Sequence, residues 1–164
     1  MGTRNLTKVI NSDGVTVVAQ YGQWDGYPEG QGLVALHHAR MAHAISNALP
    51  YVRFISEDEA NALFAGYDFA NGNFSRDFPT FSRDTGADIL GVIAYSAGEV
   101  LLIDNSEFEN DDLFCEGVYT IDFESNKFIS NFGKVVEFDL SNLPTKEQYL
   151  DAFRAWQYPH YPVN

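Results

Sequence analysis

The chain begins with two short runs of apolar and β-branched residues separated by a turn sequence. The runs cover residues 6–10 and 15–21, and Asn11-Ser12-Asp13-Gly14 lies between them. Asp-Gly between β-branched runs favours a tight hairpin, because glycine adopts positive φ without steric cost. We therefore predict a β-hairpin at the start of the chain.

The middle of the chain has a helical pattern in three places. A first helix is predicted over residues 32–49, where apolar side chains recur every three or four positions until Pro50. A second begins at the capping box Ser56-Glu57-Asp58-Glu59, and a third covers residues 82–97. Residues 67–81 combine Phe and Tyr with Gly, Asn, Asp and Pro, which predicts a loop held by aromatic side chains.

The last part of the chain has mainly strand patterns. A strand is predicted over residues 99–104, a hairpin over 117–132 and a third strand over 135–138; a capping box at 145–148 then begins a final helix. The strands occur in local hairpins and do not alternate with helices, which predicts an α+β fold with an antiparallel sheet. No linker interrupts the pattern, so residues 1–164 form one predicted domain.

Residues 21–32 interrupt the regular pattern with Tyr-Gly-Gln-Trp-Asp-Gly-Tyr-Pro-Glu-Gly-Gln-Gly. So many glycines and a proline are incompatible with the interior of a helix or an ordinary strand. The segment is therefore a shaped loop between strand and helix, and such loops are where function is concentrated. A simple connection does not require Gln23, Trp24, Asp25 or Tyr27.

The charge of the chain is strongly acidic, with 23 acidic and 10 basic residues and a net charge of -13. This balance argues against direct binding to nucleic acid or to an anionic membrane face, which require basic patches. It favours a protein partner with a basic surface. The acidic patch candidates lie in the stretch 105–116 and are Glu107, Glu109, Asp111, Asp112 and Glu116.

The cellular setting is predicted from the cysteine content and the apolar runs. The single cysteine, Cys115, excludes an internal disulfide and fits a reducing cytosol. No apolar run approaches the roughly 20 residues of a membrane helix, and no signal peptide is visible. We therefore predict a cytoplasmic protein that does not bind a membrane.

Neither a metal nor another cofactor is predicted. His37, His38 and His43 share a predicted helix, but their separations to His43 of six and five residues differ from the three or four of paired helical ligands. The chain has no Cys-x-x-Cys, and the glycine-rich loop has no lysine for a phosphate-binding motif.

Two carboxylates in the glycine-rich loop are candidates for acid/base chemistry. Asp25 and Glu29 lie close to Trp24 and Tyr27, a combination typical of sugar-cleaving sites. The alternative is structural: Asp25 takes part in a turn and Glu29 complements the dipole of the following helix. Arg83 and Asp84 have two similar interpretations: a helix-start aspartate with a neighbouring ion pair, or a polar pair that lines the same cleft. The complete candidate site for a hydrolase or a small ligand is Arg4, Gln23, Trp24, Asp25, Tyr27, Glu29, Arg83 and Asp84.

Several motifs resemble a known group of sequences. The start Gly-Thr-Arg-Asn-Leu-Thr at 2–7 and Ala-Gln-Tyr-Gly-Gln-Trp-Asp-Gly-Tyr-Pro-Glu-Gly-Gln-Gly at 19–32 resemble a family of small uncharacterised proteins of phages and bacteria, with fungal relatives. Residues 83–87 and 116–123 extend the resemblance over most of the chain. A phage origin implies a protein that binds and disables a host component.

Some members of that family carry Cys directly after Met, which resembles the N-terminal-nucleophile hydrolases. This distant resemblance implies a layered αββα-like sandwich of stacked antiparallel sheets. In this chain Gly2 occupies the position of the nucleophile, and glycine has no side chain that could attack a substrate. The resemblance therefore implies that the hydrolase chemistry has been lost.

Two functional hypotheses follow. The first is a non-catalytic acidic binding protein, a phage early or counter-defence factor that inhibits a host protein through residues 21–32 or 105–116. The second is an N-terminal-nucleophile-like hydrolase, degenerate or active, or a protein that binds a small ligand such as a nucleotide or sugar at the 21–32 loop.

Overall fold

A computed structural model describes residues 2–160 and confirms the α+β class. The main sheet has five strands in the order β2-β1-β5-β6-β7, and β3 and β4 form a separate two-stranded sheet. The strands are β1 (Asn5–Ile10), β2 (Thr16–Gly22), β3 (Val52–Phe54), β4 (Val100–Leu102), β5 (Gly117–Asp122), β6 (Lys127–Asn131) and β7 (Val135–Asp139).

The helices are mostly short. Among the described residues, none has the length and apolar character needed to cross a membrane. The α-helices are α1 (Leu33–Ala39), α2 (Ala42–Ala48), α3 (Glu57–Leu63), α4 (Phe74–Asp77), α5 (Ile89–Ala94) and α6 (Lys146–His160).

Both predicted capping boxes are present. The backbone N–H of Glu59 donates to the Ser56 hydroxyl over 3.1 Å, and the Glu59 carboxylate accepts from the Ser56 N–H over 3.2 Å. Thr145 and Gln148 make the equivalent pair of bonds at the start of α6. In both places, side chains satisfy backbone donors that a helix start leaves without intrahelical partners.

The helix predicted over residues 32–49 is interrupted. Met41 leaves the helical region, with φ -102° and ψ 29°, and separates α1 from α2. The Met41 N–H donates to the carbonyl of His38, a tighter bond than that of an α-helix. The apolar periodicity continues across the break, which is why the sequence pattern predicts one helix.

The predicted hairpins are correct, and three of the strand pairs in the main sheet are antiparallel. The fourth pair, β1 with β5, is parallel and joins residues more than a hundred positions apart, so the sheet is mixed. The second sheet consists of two parallel strands of three residues each. The layered sandwich implied by the hydrolase resemblance would have an antiparallel sheet in its place.

The hydrophobic core lies between one face of the main sheet and three helices. Tyr149 of α6 is fully buried there, and its hydroxyl pairs with that of Ser130 on β6 over 2.9 Å. Other core residues are Val9, Val18, Tyr119, Ile121 and Phe128 from the sheet, and Leu36, Ile89, Leu90, Ile93 and Phe153 from α1, α5 and α6.

The acidic stretch 105–116 begins at the free edge of β2 and contacts side chains on the face of the sheet opposite the core. The Asn105 N–H donates to the carbonyl of Ala19 over 3.0 Å, and the Phe108 ring lies edge-on to the Tyr21 ring at 4.9 Å. The Lys8 ammonium pairs with Glu109 at 2.8 Å. The stretch is therefore anchored at several points along the sheet.

An aromatic cluster holds the segment that follows α3, as predicted. The Phe64 ring contacts those of Phe74, Phe78 and Phe81 at centroid distances between 5.2 and 6.0 Å. Edge-to-face pairs of this kind add to the stabilisation from burial alone. The segment also contains the short helix α4, which the sequence pattern did not indicate.

The buried pair between Tyr149 and Ser130 leads to a stability prediction. Tyr149→Phe leaves the Ser130 hydroxyl buried without this partner, so we expect the free energy of unfolding to fall by about 1–3 kcal/mol. Urea denaturation measures the change. Tyr95→Phe is the control, because Tyr95 is 78% exposed. A Tyr149→Phe loss no larger than that of Tyr95→Phe would contradict the prediction.

Candidate functional site

The side chain of Asn5 ties the glycine-rich loop to the first strand. Its amide nitrogen lies 3.3 Å from the carbonyl oxygen of Gly22 and 3.2 Å from that of Trp24. Asn5 is fully buried; its bond to Gly22 is shielded from water, and its bond to Trp24 is partly shielded. Bonds in such an environment are electrostatically stronger than exposed ones, and they hold the start of the loop in one conformation.

Two uncommon backbone conformations shape the middle of the loop. The backbone of Asp25 has a left-handed conformation, with φ 57°. Residues Pro28–Gly32 form one turn of π-helix directly before α1. The Gln31 N–H donates to the carbonyl of Asp25 over 2.7 Å and links the two. Both conformations occur preferentially at functional sites, where the surrounding structure maintains them.

The same part of the loop borders an open cavity of about 770 Å³. Three carboxylates line the cavity, those of Asp25, Glu29 and Asp88. The described lining contains neither Lys nor Arg. The ring of Tyr27 is about half exposed and lies against Phe132 at 5.8 Å. The rest of the lining is Gly30, Gln31, Leu33, Val34, His37 and His38.

His38 and Asp88 lie within ion-pair distance of each other in the cavity wall. The Nε2 atom of His38 lies 3.0 Å from a carboxylate oxygen of Asp88. The other ring nitrogen, Nδ1, is buried without a partner among the described residues, and the ring packs against Gly91. Because one nitrogen is engaged and the other is enclosed, this imidazole is poorly placed to take a proton from a ligand.

Four of the predicted site residues form a separate cluster beside the cavity. The indole N–H of Trp24 donates to Asp84 over 2.7 Å, and the Arg83 guanidinium lies 5.8 Å from the Trp24 ring centroid. The Gln23 N–H donates to the carbonyl of Arg83 over 2.9 Å. This cluster joins the loop to residues 83–84, as a common site would require, but none of the four lines the cavity with Asp25.

The backbone at Gly2 packs directly against this cluster. A Cβ atom at position 2 would lie 2.1 Å from the carbonyl oxygen of Gln23 and 2.6 Å from a ring carbon of Trp24. Real Cβ atoms do not approach other atoms so closely, so no side chain fits here without displacement. Any side chain at position 2 would have to displace Gln23 or the Trp24 ring.

Arg4 is the remaining predicted site residue. It contacts the acidic stretch and does not line the cavity. Its guanidinium lies 5.0 Å from the ring centroid of Phe114. Its carbonyl accepts the N–H of Glu116 over 3.1 Å. Arg4 therefore connects the start of β1 to the end of the acidic stretch.

The glycine-rich loop and the acidic stretch meet at one end of the main sheet. A Cβ at Gly117 would lie 2.5 Å from the carbonyl oxygen of Gly26, and the Tyr119 hydroxyl donates to that same oxygen over 2.6 Å. We call this region the acidic end. The carboxylates of the loop, of residues 84 and 88 that contact it or line the cavity with it, and of the acidic stretch are Asp25, Glu29, Asp84, Asp88, Glu107, Glu109, Asp111, Asp112 and Glu116.

The sequence pattern does not identify three of the ionisable groups in the cavity, His37, His38 and Asp88, as site residues. The histidines have the residue type of metal ligands but not their spacing, and Asp88 lies 50 residues beyond His38. Their pairing depends on the packing of α1 near α5, which no local signal reports. Among the described residues, no three His, Cys, Asp or Glu side chains come together as a metal site would require.

Cys115 is not an activated thiol. Partial burial and the nearby carboxylates of Glu109, Asp111 and Glu116 raise its pKa to about 11. Since the thiolate is the nucleophilic form, the side chain is almost entirely protonated and unreactive at neutral pH.

Comparison with known proteins adds no family to this description. The chain matches no protein family model, no curated protein and no solved structure. The resemblance of its motifs to phage and bacterial proteins stays a prediction. The function is therefore inferred from the chemistry of the residues themselves.

The close packing at Gly2 generates a prediction. Gly2→Ala forces the chain start or the Trp24 ring to move, so we expect the free energy of unfolding to fall by about 1–3 kcal/mol and the Trp24 emission to change. Thermal unfolding and fluorescence measure both effects. Gly98→Ala is the matched control, because no atom lies within 4 Å of a Cβ at that position. Equal behaviour of the two variants would contradict the close packing at Gly2.

Proposed function

We propose that this is a non-catalytic binding protein that engages the basic surface of a partner protein through its acidic end. The observation that supports the proposal is the contact between the 21–32 loop and the 105–116 stretch: the Tyr21 N–H donates to the Asn105 side chain over 3.3 Å, and the rings of Tyr21 and Phe108 pack edge to face. As separate loops they would be two weak candidates. Together they supply carboxylates from two parts of the chain to one candidate interface.

The local cations support this assignment. Lys8 is paired with Glu109, Arg4 lies over Phe114 and Arg83 lies over Trp24, so each of these cations already has an intramolecular contact. With a net charge of -13, the protein attracts basic partners over a distance and accelerates their association.

The geometry around the candidate nucleophiles supports a role without catalysis. Gly2 offers no side chain, the raised pKa of Cys115 keeps its thiol protonated, and His38 has no nitrogen free to face the cavity. Hydrolysis through a covalent intermediate needs a nucleophile and an adjacent base. Neither Gly2 nor Cys115 supplies that nucleophile, and His38 does not supply the base.

The resemblance to phage proteins favours a host protein as the partner. A small acidic protein from a phage would bind a host component and inhibit it, as an early or counter-defence factor. The same charge makes nucleic acid an unsuitable partner, because phosphates would be repelled. The partner that we propose is a host protein with a basic surface.

A pull-down from a bacterial lysate at low and high salt tests the proposal. We expect a complex at low salt that weakens as screening increases. Neutralising four exposed carboxylates of the acidic end should slow association with the captured partner about tenfold or more. The substitutions are Asp25→Asn, Glu29→Gln, Asp112→Asn and Glu116→Gln.

A matched control removes the same charge elsewhere. The control substitutions lie outside the acidic end at exposed positions: Asp13→Asn, Glu124→Gln, Glu137→Gln and Glu147→Gln. If the control slows association equally, net charge and not the acidic end is responsible. If nothing associates at low salt, the proposed function is wrong.

The cavity favours a second candidate, the binding of a small neutral or cationic ligand. Its volume of about 770 Å³ lies within the range of ligand pockets. The exposed Tyr27 ring offers a stacking surface, and the carboxylates of Asp25 and Glu29 accept hydrogen bonds from hydroxyl or amine groups. Phosphates would face the same carboxylates, so a sugar or an amine suits the cavity better than a nucleotide.

A thermal-shift panel of oligosaccharides, spermidine and nucleotides tests this candidate. A ligand at about 100 times its Kd stabilises the folded state by about 2.7 kcal/mol, which is easily detected. We expect a shift with a sugar or spermidine that disappears in Tyr27→Ala and is retained in Tyr51→Ala. Tyr51 is the control because it is exposed and lies outside this cavity. No shift with any compound, or an unchanged shift in Tyr27→Ala, would contradict the second candidate.

A further inference from the structure

Two large apolar side chains are exposed next to each other within the acidic stretch. Leu113 is 77% exposed and Phe114 is 40% exposed. Single exposed apolar residues are normal on protein surfaces and need no explanation. An adjacent pair on a short turn between carboxylates is less common, and the Arg4 guanidinium lies over the Phe114 ring at 5.0 Å.

The turn that carries these side chains is already ordered. One carboxylate oxygen of Asp111 accepts from the N–H groups of Leu113 and Phe114 over 3.2 and 3.1 Å. The Asp111 carbonyl accepts from the Cys115 N–H over 2.9 Å, and the bond from Glu116 to Arg4 ties the turn to β1. A contact residue held in this way loses little conformational freedom on binding, so it suits the role of an anchor.

The charges around Leu113 specify what could accept it. Asp112 and Glu116 are exposed on either side of the pair, and the nearby cation of Arg4 is engaged with Phe114. The complementary surface is an apolar socket with Lys or Arg at its rim. An anionic lipid surface would be repelled by the same carboxylates.

We propose that Leu113, supported by Phe114, is the apolar anchor by which the acidic end docks into an apolar socket rimmed by Lys or Arg on its partner protein. This inference depends on the proposed function and adds the chemistry of the partner's site. Binding energy concentrates in a few buried apolar or aromatic groups near the centre of an interface. Rim charges act mainly on association and its salt dependence.

The division of roles predicts a kinetic signature for Leu113→Ser. With the partner captured at low salt and then purified, we expect the dissociation rate to rise about tenfold or more, since affinity changes at one interface appear mainly in dissociation. The association rate and its dependence on salt should stay unchanged. The separate variant Leu113→Met keeps the apolar volume, so it should dissociate as slowly as the wild type.

Val15→Ser is the control, because Val15 is also exposed but lies in the turn at the opposite end of the sheet. It should dissociate like the wild type. Since Leu113 is largely exposed, its substitution should leave the melting temperature unchanged, which separates loss of contact from loss of folding.

Three outcomes would overturn the inference. If Leu113→Ser dissociates at the wild-type rate while the four-carboxylate variant associates slowly, Leu113 is not the anchor and the proposed function stands. If the wild type captures no partner at low salt, the proposed function and the anchor both fail. If the protein co-sediments with phosphatidylcholine vesicles through Leu113, the anchor serves a lipid surface and the assignment of a protein socket is wrong.

Discussion

The parallel pairing of β1 with β5 is the constraint on which the site depends. Because the two strands run in the same direction, the segments that precede them, residues 2–4 and 105–116, arrive at the same end of the sheet. The antiparallel partner of β1 is β2, so the loop that follows β2 begins there too. One non-local strand pair thus brings three separate parts of the chain into contact.

Concentrating carboxylates at one end of a small protein has an energetic cost, because like charges repel and destabilise the compact state. The fold limits this cost by giving several of these carboxylates a local role. Asp111 holds a turn, Asp84 accepts the Trp24 indole N–H, and Glu109 pairs with Lys8. The carboxylates of Asp25 and Glu29 instead line an open cavity.

Several features near this end are not those of maximum stability. Asp25 is left-handed, and the buried atoms Oδ1 of Asn5 and Nδ1 of His38 have no hydrogen-bond partner among the described residues. A buried polar atom without a partner costs about 1–3 kcal/mol. The bond from the Gln31 N–H to the Asp25 carbonyl holds the loop in this conformation.

Local signals in the sequence determined the hairpins, both capping boxes, the aromatic-held segment and the glycine-rich loop, because each depends on neighbouring residues. The same signals singled out Asp25, Tyr27 and Glu29, which line one cavity, and Trp24 with Asp84, which form a pair. Only the tertiary structure decided that these are two different places, that His38 meets Asp88, and that Arg4 belongs with the acidic stretch. Those contacts join residues 50 or more positions apart, and periodicity and turn chemistry carry no information over such separations.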